Sequence, residues 1–151
     1  MRSYAIVAVL ALLAITHVSA VRIKDCGSMA VVDYTNIQIT GCKPRAPYCI
    51  FRKNTTAHIS IPFTPKTEIT SLKAVVYGII AGIPLPFPLD NPEACQVSFP
   101  CPAEAGKRVL YTEGLPVKAL YPSLRLTVEW SLEDQAGNKQ VCLRIPVKLQ
   151  S

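Results

Sequence analysis

Two runs near the C-terminus decide what this chain can fold into. Leu124, Leu126, Val128, Trp130 and Leu132 alternate with Arg125, Thr127, Glu129, Ser131 and Glu133. Val141, Leu143, Ile145, Val147 and Leu149 alternate with Cys142, Arg144, Pro146 and Lys148. A sustained period of two places every apolar side chain on one face of a strand. Asp134-Gln135-Ala136-Gly137-Asn138, between the runs, is turn chemistry, so the two form a hairpin. Cys142 falls on its outward face. Pro146 brings no N–H to a ladder, which predicts a sheet edge or a bulge there.

The same period recurs at Ala57, Ile59, Ile61 and Phe63, alternating with His58, Ser60 and Pro62. Leu72 to Ile80 reads as a strand that is apolar on both faces. Val31 to Ile39 and Arg108 to Thr112 are weaker strand signals. No segment beyond residue 20 carries a helical period, and the 13 prolines punctuate the chain as turn and edge markers. Short strands between turns predict an all-β sandwich in one domain. One stretch departs from the pattern. Ala74 to Leu89 lacks any charge, and Pro84, Pro86 and Pro88 exclude both a membrane helix and a continuous central strand. It predicts a buried strand running into a stiff apolar loop. Such a loop either meets a partner or plugs one end of the sandwich.

The first residues read as a secretory leader. Arg2 precedes the apolar run Ala5 to Ile15, which is too short to span a bilayer, and His17-Val18-Ser19-Ala20 offers a cleavage site. The expected divisions are a signal peptide over residues 1–20 and one domain over residues 21–151. The leader sends the chain outside the cell or into the lysosome lumen. All six cysteines lie beyond it: Cys26, Cys42, Cys49, Cys95, Cys101 and Cys142. An even count on the secretory route implies three disulfides. Spacing alone cannot choose among the pairings, although Cys42/Cys49 and Cys95/Cys101 suggest small loops that leave Cys26 and Cys142 to join the chain ends.

The net charge is +6, but the bases are dispersed and form no run, so a solvated surface is expected and no nucleic-acid partner. No CxxC and a single histidine past the leader, His58, argue against a metal site. His58 and Ser60 are neighbours on a polar strand face, yet no nucleophile motif surrounds them. No glycine-rich phosphate loop is present and no cofactor is implied. The chain does not read as an enzyme. Asn54-Thr55-Thr56 is an N-glycosylation sequon in a polar stretch.

Several segments together resemble one family. They are Asp25-Cys26-Gly27-Ser28, Lys73-Ala74-Val75-Val76-Tyr77-Gly78, Pro84-Leu85-Pro86-Phe87-Pro88, Leu115-Pro116-Val117-Lys118, Tyr121-Pro122-Ser123, Val128-Glu129-Trp130 and Ile145-Pro146-Val147. They resemble the Niemann-Pick type C-two family of small cholesterol-transfer proteins, in the ML (lipid-recognition) domain group. The resemblance covers essentially the whole chain past the leader. It implies an immunoglobulin-like β-sandwich of two antiparallel sheets with a lipid tunnel between them. It pairs Cys26 with Cys142, Cys42 with Cys49 and Cys95 with Cys101. It also places Phe87, Val117 and Tyr121 at the tunnel mouth, with Ile59, Val76, Leu115, Pro116, Leu124 and Trp130 along the wall. The implied function is sterol binding by a monomer that touches membranes transiently and passes its lipid on, to another membrane or to a membrane sterol transporter. Sibling branches imply two alternatives: a carrier of fatty acids or other hydrophobic signals, and a lipid-recognition module of innate immunity. The chain also departs from the vertebrate members. Their early targeting glycan is missing, leaving Asn54 as the only sequon. Tyr77 replaces a common histidine and Leu143 a second tryptophan. Ala81 and Pro102 alter the surface knob used in handover.

Overall fold

An alternating strand can bury its apolar face only against a second layer, and this chain builds two. In the computed structural model, residues 21–151 are described. The expected leader, residues 1–20, lies outside the described residues. The strands are β1 (Lys24–Asp25), β2 (Val31–Val32), β3 (Gln38–Ile39), β4 (Cys49–Arg52), β5 (Thr55–Thr64), β6 (Leu72–Ile80) and β7 (Ile83–Pro86). After one helical turn, α1 (Ala94–Val97), follow β8 (Val109–Val117), β9 (Arg125–Asp134) and β10 (Lys139–Gln150).

The predicted hairpin is β9–β10, with Trp130 opposite Leu143 and Val128 opposite Ile145. β6 pairs with the other flank of β9, and β7 closes that edge of the larger sheet. β1 and β4 share the outer flank of β10, β1 against Leu143 and Arg144 and β4 against Val147 to Gln150. β4 runs parallel to β10, the one exception to antiparallel pairing among the described residues. The smaller sheet is built on β5, with β8 on one flank and β2 and β3 on the other. The weak signal over Val31 to Ile39 therefore resolves into two short strands separated by a single 3-10 turn at Tyr34–Asn36.

The prolines inside strands sit where no ladder bond is lost. Pro146 is at neither an edge nor a bulge, as the sequence had suggested. It lies in the seam between the start of β1, opposite Arg144, and the start of β4, opposite Val147. Pro62 of β5 is placed the same way, between the segments that pair with β3 and with β2. The stretch expected to be a stiff loop after Ile80 is instead the edge strand β7. Gly78 pairs with Leu85 and Ile80 with Ile83, while the Phe87 N–H donates to the Val76 carbonyl (2.9 Å). Odd-numbered residues thus face β6, and Pro84 and Pro86 turn their missing N–H groups to the free edge.

Between the sheets lie Ile59, Ile61 and Phe63 of β5, Leu72 and Val76 of β6, and Leu126, Val128, Trp130 and Leu132 of β9, all buried. Three disulfides join Cys26 to Cys142, Cys42 to Cys49 and Cys95 to Cys101, the pairing the resemblance implied. Cys142 is on the outward face of β10, yet it is buried because the N-terminal segment lies over it. Ser28 Oγ accepts the Cys142 N–H (2.9 Å), and the Cys26 N–H donates to the Cys142 carbonyl (2.9 Å).

Candidate lipid mouth between the sheets

At one end of the sandwich the two sheets meet through a pair of aromatic rings. Past Pro86 the chain turns Phe87 inward, leaving the residue 8% exposed. Gly78 of β6 makes the space for it. A methyl group on Gly78 would come within 3.1 Å of the Phe87 ring and 2.9 Å of Leu126 Cδ1. From the other sheet, β8 ends at Val117, and a turn closed by Tyr121 N–H to the Lys118 carbonyl (3.2 Å) returns the chain. The Tyr121 ring then lies on Phe87, with centroids 4.7 Å apart and planes tilted by 45°. Burial pushes the Tyr121 phenol above its ordinary pKa, so it stays neutral.

Val117 begins a column that leads inward. The period of β8 puts Val117, Leu115, Glu113 and Tyr111 on one face, and Val117, Leu115 and Tyr111 are buried. Ile59 lies opposite Glu113 in register. The facing sheet contributes Trp130 and Val76, which pair with each other. Leu124 precedes β9, half-buried, and its carbonyl accepts the Leu149 N–H (2.9 Å). The structure thus gathers Phe87, Val117 and Tyr121 at one end. Leu115, Ile59, Val76 and Trp130 are interior, and Leu124 is at the margin. Pro116 is different: it alternates with Leu115 and Val117 and lies opposite the exposed Thr56, so it faces away from the interior.

Deeper in, the apolar interior holds polar atoms without partners. Tyr111 and Trp130 meet edge to face across the sheets, with centroids 6.3 Å apart. Neither Tyr111 Oη nor Trp130 Nε1 has a hydrogen-bond partner among the described residues. Burial pushes the Tyr111 phenol up. The Trp130 indole works against this without reaching hydrogen-bond geometry, and the Glu113 carboxylate adds to the rise. Glu113 turns one oxygen back to the Gly114 N–H (2.9 Å), while the other is buried and unpartnered. A buried polar atom left unpaired costs about 1–3 kcal/mol.

Sequence reasoning missed three of these positions. Tyr111 and Leu126 were readable, because each continues the period of residues already singled out. Gly78 was not, since its role is a close approach between elements. The rim is apolar where it meets solvent: Leu120, just past Val117, is 95% exposed, and Ile83, Leu85 and Tyr77 are exposed beside Phe87. The outer face of the smaller sheet is polar. There His58, Ser60, Ser98 and Thr112 border an open groove of about 550 Å³. Its hydroxyls favour water over an apolar guest.

A largely apolar interior, an aromatic pair at one end and exposed apolar side chains beside it offer contact area and little directed bonding. A two-sheet β-sandwich of this immunoglobulin-like type, with such an end between its sheets, is a candidate hydrophobic-ligand-binding domain. The profile of the ML domain matches residues 20–149, and the chain belongs to the ML domain family. It is 40% identical over 151 residues to the NPC intracellular cholesterol transporter 2 homolog a of Drosophila melanogaster, covering 99% of this chain and 100% of that protein. It is 37% identical to the NPC intracellular cholesterol transporter 2 of Bos taurus, over 94% of this chain and 93% of that one. Among solved structures, a Niemann-Pick type C2 protein from the Japanese carpenter ant superposes with a TM-score of 0.79. That match has 27% identity and covers 85% of this chain and 99% of the other. Among the described residues no helix is long and apolar enough to cross a membrane.

Proposed function

We propose that this protein holds a sterol, of cholesterol type, between its two sheets and carries it between membranes or to a membrane transporter. The observation that supports this most directly is the Phe87–Tyr121 ring pair. It closes the interior at an end of the sandwich where exposed side chains are also apolar. The two rings close this end with side chains alone, so swinging them apart would break no ladder bond. A guest that buries about 400 Å² of apolar surface gains ~10 kcal/mol before the costs of association. The likeness to proteins named as cholesterol transporters supports sterol as the lipid. Secretion, with signal cleavage after Ala20 and the domain beginning at Val21, belongs to the same reading, as does action as a monomer without catalysis.

The test is uptake of a fluorescent sterol by the purified protein, with cholesterol and a long-chain fatty acid as competitors, followed by transfer between vesicles. Saturable one-to-one uptake, displacement by cholesterol and faster vesicle transfer are expected. Uptake of fatty acid alone would reassign the ligand. No uptake of either would end the proposal.

A further inference from the structure

The sequon Asn54-Thr55-Thr56 lies in the turn between β4 and β5. Three observations locate it. The Asn54 N–H donates to the carbonyl of Val117 (2.7 Å), the residue at the lip of the interior column. Thr55 pairs with Val117 in register. The neighbouring Lys53 N–H donates to the Gln150 carbonyl (2.9 Å), so the turn belongs to the same end of the sandwich as the mouth. Asn54 is exposed and has φ 61°, a conformation asparagine tolerates better than most residues. Thr55 Oγ1 donates to the Arg52 carbonyl (2.6 Å), which fixes the turn and leaves the Asn54 carboxamide in solvent.

We infer that Asn54 carries an N-linked glycan that stands beside the tunnel mouth and slows its seating on a bilayer. The inference rests on the transfer reading above. The apolar rim, Leu120 with Ile83 and Leu85, is the surface that would enter the lipid interface. A glycan is a hydrated, branched polymer much larger than the turn from which it hangs. Rooted one hydrogen bond from Val117, it occupies the solvent that the rim must clear before touching a membrane. It does not reach between the sheets, because Asn54 points outward. It therefore alters the rate of handover and leaves the affinity for the lipid alone.

The protein is secreted from eukaryotic cells in wild-type form and as Asn54→Gly and Thr56→Ala. Glycine accepts the positive φ at position 54, and Thr56→Ala removes the sequon while keeping Asn54. Intact mass reads occupancy, fluorescent-sterol titration reads affinity, and vesicle-to-vesicle exchange reads transfer. The expected result is a glycan on wild type only and equal sterol affinity in all three. Transfer should be roughly threefold or more faster in both variants, since seating depends on orientation at contact. Wild type stripped of its glycan by enzyme should match the variants. A bare Asn54 on the secreted protein overturns the inference. So do equal transfer rates in the presence of equal sterol binding, or a variant whose sterol affinity changes with the glycan. If no form binds or moves sterol, the proposed function fails first and the inference falls with it.

Discussion

Val117 offers the sharpest single-residue test of the mouth. It is buried at the end of β8, beside the turn that carries Tyr121. On the proposed function, a phenyl ring there would fill the space through which the lipid enters. Val117→Phe should abolish sterol uptake with a melting temperature near wild type. An ordinary core position would instead be overpacked and lose ~1–3 kcal/mol. Binding and melting measured on one sample decide the matter: a collapse of stability, or uptake unchanged, removes Val117 from the mouth. Tyr111 is the opposite case. Its hydroxyl is buried opposite Trp130 without a partner, so removing it relieves a desolvation cost. Tyr111→Phe should leave the empty protein at least as stable as wild type, by urea midpoint. A loss of more than about 1 kcal/mol would reveal a hydrogen bond that the hydroxyl makes in solution.

Among the elements, β7 carries the most information about how prolines are used. With Pro84 and Pro86 presenting no donors, its free edge cannot accept a partner strand in register. Pro84→Thr with Pro86→Thr should restore those donors and yield dimers or larger species by light scattering. A monomer at high concentration would show that the exposed Ile83 and Leu85 alone govern association. The N-terminal segment is held by Asp25. Burial works against its ionisation, but hydrogen bonds from Ser28, Tyr34 and Gly27 prevail and hold its pKa at about 2. A lowered carboxylate stabilises above its unfolded pKa, and that contribution is lost as pH falls through the folded value. Protection of the Gly27 and Ser28 amides, taken relative to their intrinsic exchange at each pH, should hold in mild acid and fall only as the pH drops from about 4 toward about 2. Loss of protection already near neutral pH would refute this. How far the elements could be read from residues follows from their length. β5, β9 and β10 were legible because alternation over many residues leaves one solution. β1, β2 and β3 hold two residues each, too few to show a period. β7 was hidden because its prolines resemble loop chemistry until the edge they protect is known. Of the site residues, Phe87, Val117 and Tyr121 were named through resemblance, and periodicity alone would have left them as core. Pro116 was named together with its neighbours Leu115 and Val117, although the alternation of β8 turns it away from them.

For the molecule as a whole, the bond between Cys26 and Cys142 matters most, as it closes a loop of 116 residues. On chain-entropy grounds such a closure stabilises by about 5 kcal/mol, against about 2 for a loop the size of Cys42–Cys49. That approaches the total stability of a small domain. Cys26→Ser with Cys142→Ser should sharply cut the secreted yield and lower the urea midpoint of what is secreted, while Cys42→Ser with Cys49→Ser does much less. Equal losses in the two pairs would refute the entropic argument. The partner arrangement of β10 has a further consequence, for biosynthesis. The last strand of the chain lies inside the larger sheet, with β9 on one flank and both β1 and β4 on the other. β1 and β4 have no ladder partner until the final dozen residues have been released by the ribosome. The smaller sheet can pair before then, but the larger one cannot be completed during translation. Its N-terminal segment has to wait, reduced and uncovered, for the C-terminus to arrive, so a chain truncated by even part of that strand is one a cell's quality control should retain.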